Sequence, residues 1–226
     1  MTQAPRTFQP EETTGIAGLS PPYLIHLGCN RTRIPGWLNI DARATDATNL
    51  VHDCRDLSIF DDKSTNMVFS NAFFEHLTMH DRAALLRDIH RVLTDDGFLY
   101  FCGVPDFETI ARSYLERRPG NVSSRFDLFE AYRYTHGDPE HQSEWWMEQL
   151  HKTLFDVETL KTLLNEAGFR THYVYRYAYG KEANAVNLGF MAWKDVRAFS
   201  DKDALPIISL FAPLTQPNME RLELGL

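Results

Sequence analysis

Clustered positive charge is scarce in this sequence. Its 23 Lys and Arg stand against 31 Asp and Glu, a net charge of −8. A nucleic-acid partner requires a positive surface that displaces counterions from phosphates, so DNA and RNA are excluded as main partners. Long apolar runs are also missing. None approaches the roughly 18 residues that span a bilayer, so no membrane partner is expected. The opening residues, MTQAPRTFQPEETTG, lack the apolar core of a signal peptide. Cysteine is sparse: Cys29, Cys54 and Cys102 are an odd number with no CxxC pair. They fit a reduced, cytoplasmic protein with buried thiols. The cysteines supply no zinc-ligand spacing; the spacing of His136 and His141 could suit a divalent metal with Asp138 or Glu140, but nothing requires one, so no metal is assigned.

What remains is an ordinary globular composition, 43% hydrophobic and 24% charged, in a chain long enough for one domain with appendages. Residues 1–20 are polar and rich in Pro, Thr and Gly, and read as a flexible arm. Strand signals follow at 23–29, 37–41, 49–54, 66–72 and 98–104. Several are short apolar runs, as expected where both faces of a parallel sheet are covered. A helix is expected after Thr78, with Asp81 completing a capping box and Leu85, Leu86, Ile89, Val92 and Leu93 forming one apolar stripe. Gly97 is expected to end it. A second helix starts at Asp156, buries Leu160, Leu163, Leu164 and Ala167, and stops at Gly168. Segments 170–179 and 184–194 then read as an antiparallel pair. Strands interleaved with helices, closed by a hairpin, define an open α/β sheet with helices on both faces. Residues 105–152 read as an insertion with its own helices. Residues 195–226 show little periodicity and read as a tail that packs on a neighbour, a route to a homo-oligomer.

In such sheets ligands bind outside the carboxyl ends of the strands. The first strand ends at Gly28-Cys29-Asn30. The second ends at Asp41, where a carboxylate can accept hydrogen bonds from both hydroxyls of a ribose. The third ends at Asp53-Cys54, placed for an adenine amino group, and the fourth at Ser70-Asn71. A purely structural sheet requires none of these polar residues. A dinucleotide would require a fuller G-x-G-x-x-G turn leading into a helix N-terminus, and Pro35-Gly36 interrupts any such helix.

The stretches LGCNRTRIPGWLNID, DCRDLSIF, FSNAFFEHL, RVLTDDGFLYFCGVPDF and HKTLFDVETLKTLLNEAGF, in that order, resemble class I S-adenosylmethionine (SAM)-dependent methyltransferases. The resemblance covers about residues 23–194, and places a methyltransferase domain at 21–194 with a lid or acceptor-binding insertion at about 105–152. It implies a Rossmann-like twisted sheet of seven strands with the last inserted antiparallel. It also implies SAM as cofactor, with Gly28 against its methionine portion, Asp41 on the ribose, Asp53 on the adenine and Ser70-Asn71 beside the sulfonium. Two positions depart from the family pattern. Asn30 replaces a glycine, and asparagine is among the few other residues that enter the left-handed region readily. Asn66 replaces an aspartate at the start of the fourth strand, remote from the ligand end.

Methyl transfer needs an acceptor held at near-attack distance and, for a hydroxyl acceptor, a base. Of nine histidines, His26 and His90 read as structural. His151 is the first candidate base, since a capped helix just beyond it would fix its position. His136 and His141 are the next candidates. His76, Asp106, Trp145 and Trp146 are candidates for the acceptor pocket. The resemblance implies a small-molecule acceptor, with the hydroxyl of a saccharide or secondary metabolite first. The competing reading is a SAM-binding or degenerate module that serves as an accessory subunit.

Overall fold

The computed structural model describes residues 15–137 and 146–226, with Trp146 described by its backbone alone. Strands β1 (Tyr23–Leu27), β2 (Leu38–Asp41), β3 (Leu50–Val51), β4 (Thr65–Asn71) and β5 (Leu93–Pro105) run parallel. Strand β7 (Asn187–Trp193) lies antiparallel to β5, β6 (Thr171–Tyr179) antiparallel to β7, and β8 (Pro217–Glu223) antiparallel to β6. The order across the sheet is β3-β2-β1-β4-β5-β7-β6-β8. The sheet therefore has eight strands where the resemblance implied seven; β8 is added at the far edge by the C-terminal residues.

The side chains of the central strands alternate between two cores, as the period of a strand demands. Val68, Leu99 and Phe101 face one core with Leu85, Leu86 and Ile89 of helix α1 (Met79–Val92) and Leu160 and Leu164 of helix α4 (Val157–Glu166). Phe69, Tyr100 and Cys102 face the other, under Ala204, Ile208 and Phe211 of helix α5 (Asp201–Thr215). Helices α2 (Phe107–Leu115) and α3 (Leu128–His136) belong to the segment after β5.

Thr78 caps α1 by accepting the Asp81 N–H, as expected of the N-cap, while the Asp81 carboxylate accepts from the Thr78 hydroxyl. The far end differs from expectation. The helix stops at Val92 and Leu93 is already extended, so Gly97 lies inside β5 and is no cap. A Cβ there would come within 2.9 Å of the Asn66 carbonyl oxygen, so close strand packing explains this glycine. Gly168, by contrast, follows α4 with φ +101°, as predicted. Asn66 accepts a hydrogen bond from Thr94 at the strand's start, away from the ligand end. The C-terminal residues, expected to be a tail on a neighbour, form α5 and β8 on the chain's own sheet, so they give no argument for a homo-oligomer.

Candidate functional site

A cavity of about 460 Å³ opens at the carboxyl ends of β1 to β4. It lies within the range of small-molecule sites. Its walls include Gly28, Asn30, Asp41, Asp53, Cys54, Phe73 and His76, with Glu148, Gln149 and Lys152 from the segment after α3.

The first wall is the turn after β1. Gly28 has φ +65°, and a Cβ there would meet the Phe73 side chain at 3.1–3.3 Å. Only glycine satisfies both demands. Its N–H donates to Cys54 Sγ at 3.3 Å. Burial pushes the Cys54 thiol up to about 12, so it acts as a packed, neutral group. Asn30 has φ +46°, the left-handed geometry expected of the missing glycine. Its Oδ1 turns toward Arg43, and its carbonyl accepts from Thr45. Asn30→Gly is therefore expected to leave stability essentially unchanged. Asn30→Val should cost about 1–2 kcal/mol, the penalty of a β-branched residue held left-handed. Urea denaturation of the two variants checks this.

Asp41 is buried where β2 ends. Its Oδ2 accepts the Asn30 N–H at 2.8 Å and its Oδ1 the Arg43 N–H at 2.9 Å. The Arg43 guanidinium also reaches Oδ1, at 3.5 Å; a carboxylate offers roughly four lone-pair positions, so Oδ2, with one donor, retains capacity. Asp53 is half exposed and paired with Arg55, whose guanidinium holds its carboxyl below the usual carboxylate range. Arg55 reaches Asp81 as well. Both predicted carboxylates thus border the same space.

The remaining predicted residues divide. Cys29 is buried beneath the turn with its thiol near Thr48, and does not line the cavity. Ser70 and Asn71 do not line it either. The Ser70 hydroxyl donates to the Leu27 carbonyl, and Asn71 Oδ1 accepts from Cys102. Ala72 and Phe73, one step further on, take their place. Asp106 is also misplaced by the sequence reading. It is fully buried, caps α2 by accepting the Thr109 N–H, and pairs with Arg176 Nε at 2.6 Å. Asp106→Ala is expected to destabilise the fold by about 3 kcal/mol, the lower end of the range for breaking a buried pair, because Glu108 and Glu223 still reach Arg176. SAM affinity should not change. Chemical denaturation and a binding titration on the same protein test both halves.

Among the histidines, His76 lines the cavity, and His151 packs edge-on against it with ring centroids 5.1 Å apart. The pairing follows from a zipper of hydrogen bonds. The Lys152 N–H donates to the Glu75 carbonyl, Thr153 Oγ1 to the Leu77 carbonyl, and His76 Nδ1 to the Leu150 carbonyl. The ring of His151 is fixed through Nδ1 to the Tyr134 carbonyl at 2.8 Å, and its backbone N–H to the His136 carbonyl. Gly137 makes this approach feasible. With φ +88°, a Cβ there would come within 2.7 Å of the Gln149 carbonyl oxygen. Burial pushes both imidazoles below the usual histidine range, so they stay neutral. Glu75 completes the group. Burial raises its carboxyl to about 7, partly offset by His151.

The side chain of His136 turns away. It is exposed, stacks on Tyr132 and bonds Thr135. His26 bonds Asn39 within the sheet, and His90 packs on Phe169, as their structural reading requires. His141, Trp145 and the side chain of Trp146 lie outside the described residues. Sequence reasoning missed Phe73, Arg55 and Lys152 as site residues. Arg55 carries a local signal, two positions after Asp53. The grouping of Glu75 with His151 carries none, since it exists only once the two segments are zipped together.

Residues 23–101 match the family model described as a methyltransferase domain. A SAM-dependent methyltransferase from Archaeoglobus fulgidus is similar in structure at TM-score 0.51 and 16% identity, over 79% of this chain and 88% of that one. A SAM-dependent methyltransferase from Methanosarcina mazei is similar at TM-score 0.50 and 17% identity, over 79% of this chain and 95% of that one. At such identities the likeness is one of fold. No curated protein matches the sequence. The matched region contains the turn after β1 and both carboxylates, Asp41 and Asp53. Among the described residues no helix is long and apolar enough to cross a membrane.

Proposed function

We propose that this chain methylates a hydroxyl of a small molecule, a saccharide or secondary metabolite, in the cytoplasm. The observation that carries the reading is a cavity lined by Asp41, Asp53 and His76, with His151 packed against His76. In this reading Asp41 takes the ribose hydroxyls, Asp53 the adenine amino group, and the Gly28 backbone the methionine portion. The cradle fits the cofactor: Gly28 and Asp41 both border the cavity, and Asp41 Oδ2, with one internal donor, retains acceptor capacity.

When bound, SAM supplies an electrophilic methyl on a sulfonium that leaves readily. The chain's own residues do the rest. They hold the acceptor in line, which contributes on the order of 7–11 kcal/mol, and keep water out. His151 is the proposed base. A carbonyl can only accept, so the Nδ1 bonded to Tyr134 must carry the proton, and the lone pair is left on Nε2. His76 shares this arrangement through Leu150 and borders the acceptor side. The segment 146–153 supplies Glu148, Gln149 and Lys152 to the wall, which supports a lid role for the insertion.

The test is methyl release from labelled SAM against nucleotide sugars, glycosides and phenols, with matched amines in parallel. Turnover of hydroxyl compounds is expected. Turnover confined to amines would overturn the hydroxyl assignment. SAM binding without turnover of any acceptor class would favour the non-catalytic module.

A further inference from the structure

Glu75, His76 and His151 each offer one donor atom, and these atoms lie within 4.8 Å of one another. The two histidines are prepared as ligands are. Each has its Nδ1 hydrogen given to a backbone carbonyl, Leu150 for His76 and Tyr134 for His151. That arrangement fixes the tautomer and leaves a lone pair on each Nε2, the usual outer-shell support of a metal-bound imidazole. The carboxylate of Glu75 stands beside them, its Oε1 3.7 Å from His76 Nε2. This separation is too long for a hydrogen bond.

A second observation is independent of that spacing. Glu75 is 2% exposed, and its Oε2 has no hydrogen-bond partner. Leaving a buried polar atom unmatched costs about 1–3 kcal/mol, more for a charged group. Two imidazole lone pairs and an unpartnered carboxyl oxygen therefore lie together. The zipper that holds them, from Lys152 to Glu75 and from Thr153 to Leu77, keeps them from separating. A cation among them would satisfy the orphan oxygen and both lone pairs at once.

We propose that Glu75, His76 and His151 form a binding site for a divalent first-row transition-metal ion. Two imidazoles and one carboxylate suit Zn(II), Fe(II) or Co(II) and disfavour the oxygen-seeking Mg(II) and Ca(II). Three protein ligands leave positions open, the pattern of reactive rather than purely structural sites. Because His76 lines the cavity, the ion would stand at the wall of the acceptor space. It would then use the His151 lone pair that otherwise serves as base, and would promote loss of the acceptor's proton by its own charge. That consequence rests on the methyltransferase reading; the metal site itself does not.

The experiment is a titration of the metal-stripped full-length protein with Co(II) and Zn(II), without SAM or acceptor. One Zn(II) per chain should bind at micromolar or tighter dissociation constant. Co(II) should develop ligand-field bands that Zn(II) abolishes and Mg(II) does not. Glu75→Gln and His151→Gln should each weaken Zn(II) binding by at least about tenfold, whereas His172→Gln, remote from the cluster, should not. Zn(II) should raise the melting temperature of the wild type and not of Glu75→Gln. No binding at millimolar Zn(II), or binding that both variants leave unchanged, overturns the proposal. The wild-type Co(II) spectrum does not depend on any variant folding. SAM binding measured on the same samples separates failure of the metal site from failure of the methyltransferase reading.

Discussion

Asp41→Ala should reduce affinity for SAM by at least about 100-fold, to the limit of calorimetric detection. The carboxylate acts twice. It is proposed to accept hydrogen bonds from the ribose, and it already accepts the N–H groups of Asn30 and Arg43, which form the turn over the cavity. A hydrogen bond to a charged group contributes about 1.5–3 kcal/mol. Loss of two to the ligand corresponds to about 3–6 kcal/mol, and each 1.4 kcal/mol is tenfold in affinity. Loss of the internal pair adds to this by releasing a turn whose Asn30 is held left-handed. Asp41→Asn gives the control. It keeps one acceptor oxygen and should bind measurably, between the wild type and alanine. Wild-type affinity in Asp41→Ala, with the fold intact by circular dichroism, would remove this residue from the cofactor site.

His151→Ala is expected to lower turnover by about 10²–10⁴-fold, the usual contribution of a positioned base, with SAM affinity unchanged. The two readouts separate because His151 is not in the wall that contains Asp41 and Asp53, and reaches the cavity only through His76. Loss of turnover follows whether its Nε2 accepts the acceptor's proton or holds an ion that promotes the same loss. Loss of SAM affinity in step with turnover would instead indicate collapse of the 150–153 zipper. His151→Gln guards against this, since its amide can still donate toward the Tyr134 carbonyl. Unchanged turnover in both variants would exclude the residue from the chemistry.

The parts of the fold that were legible in the sequence are those fixed by local chemistry. The stripe Leu85, Leu86, Ile89 and Val92 gives α1, and the Asp156 cap and Gly168 stop give α4. Apolar runs with polar ends give the parallel strands, and in such a sheet the strand ends place Asp41 and Asp53 at the ligand edge. Helix α5 was hidden by its prolines. Ala204, Ile208, Phe211 and Thr215 recur at helical spacing, but Pro206 and Pro213 lie inside it and normally argue against a helix. Packing over Phe69 and Tyr100 overrides that preference. Gly97 misled for the opposite reason: a glycine soon after an apolar stripe looks like a cap, whereas close approach to the Asn66 carbonyl is a tertiary demand. Ser70 and Asn71 were one step short of the cavity because the chain runs on past the strand before it meets the space. The meeting of Glu75 with His151 depends on backbone hydrogen bonds between segments far apart in the chain, for which side-chain patterning gives no sign.

The central claim is that the space between Asp41 and Asp53 receives the adenosyl group of SAM. A crystal structure of the wild-type protein with S-adenosylhomocysteine tests it most directly. The account predicts ribose hydroxyls on the Asp41 carboxylate and the adenine amino group at Asp53, with the sulfur toward Ala72 and His76. Nucleoside density elsewhere, or Asp41 sealed by its own turn while saturating ligand leaves the cavity empty, would contradict it.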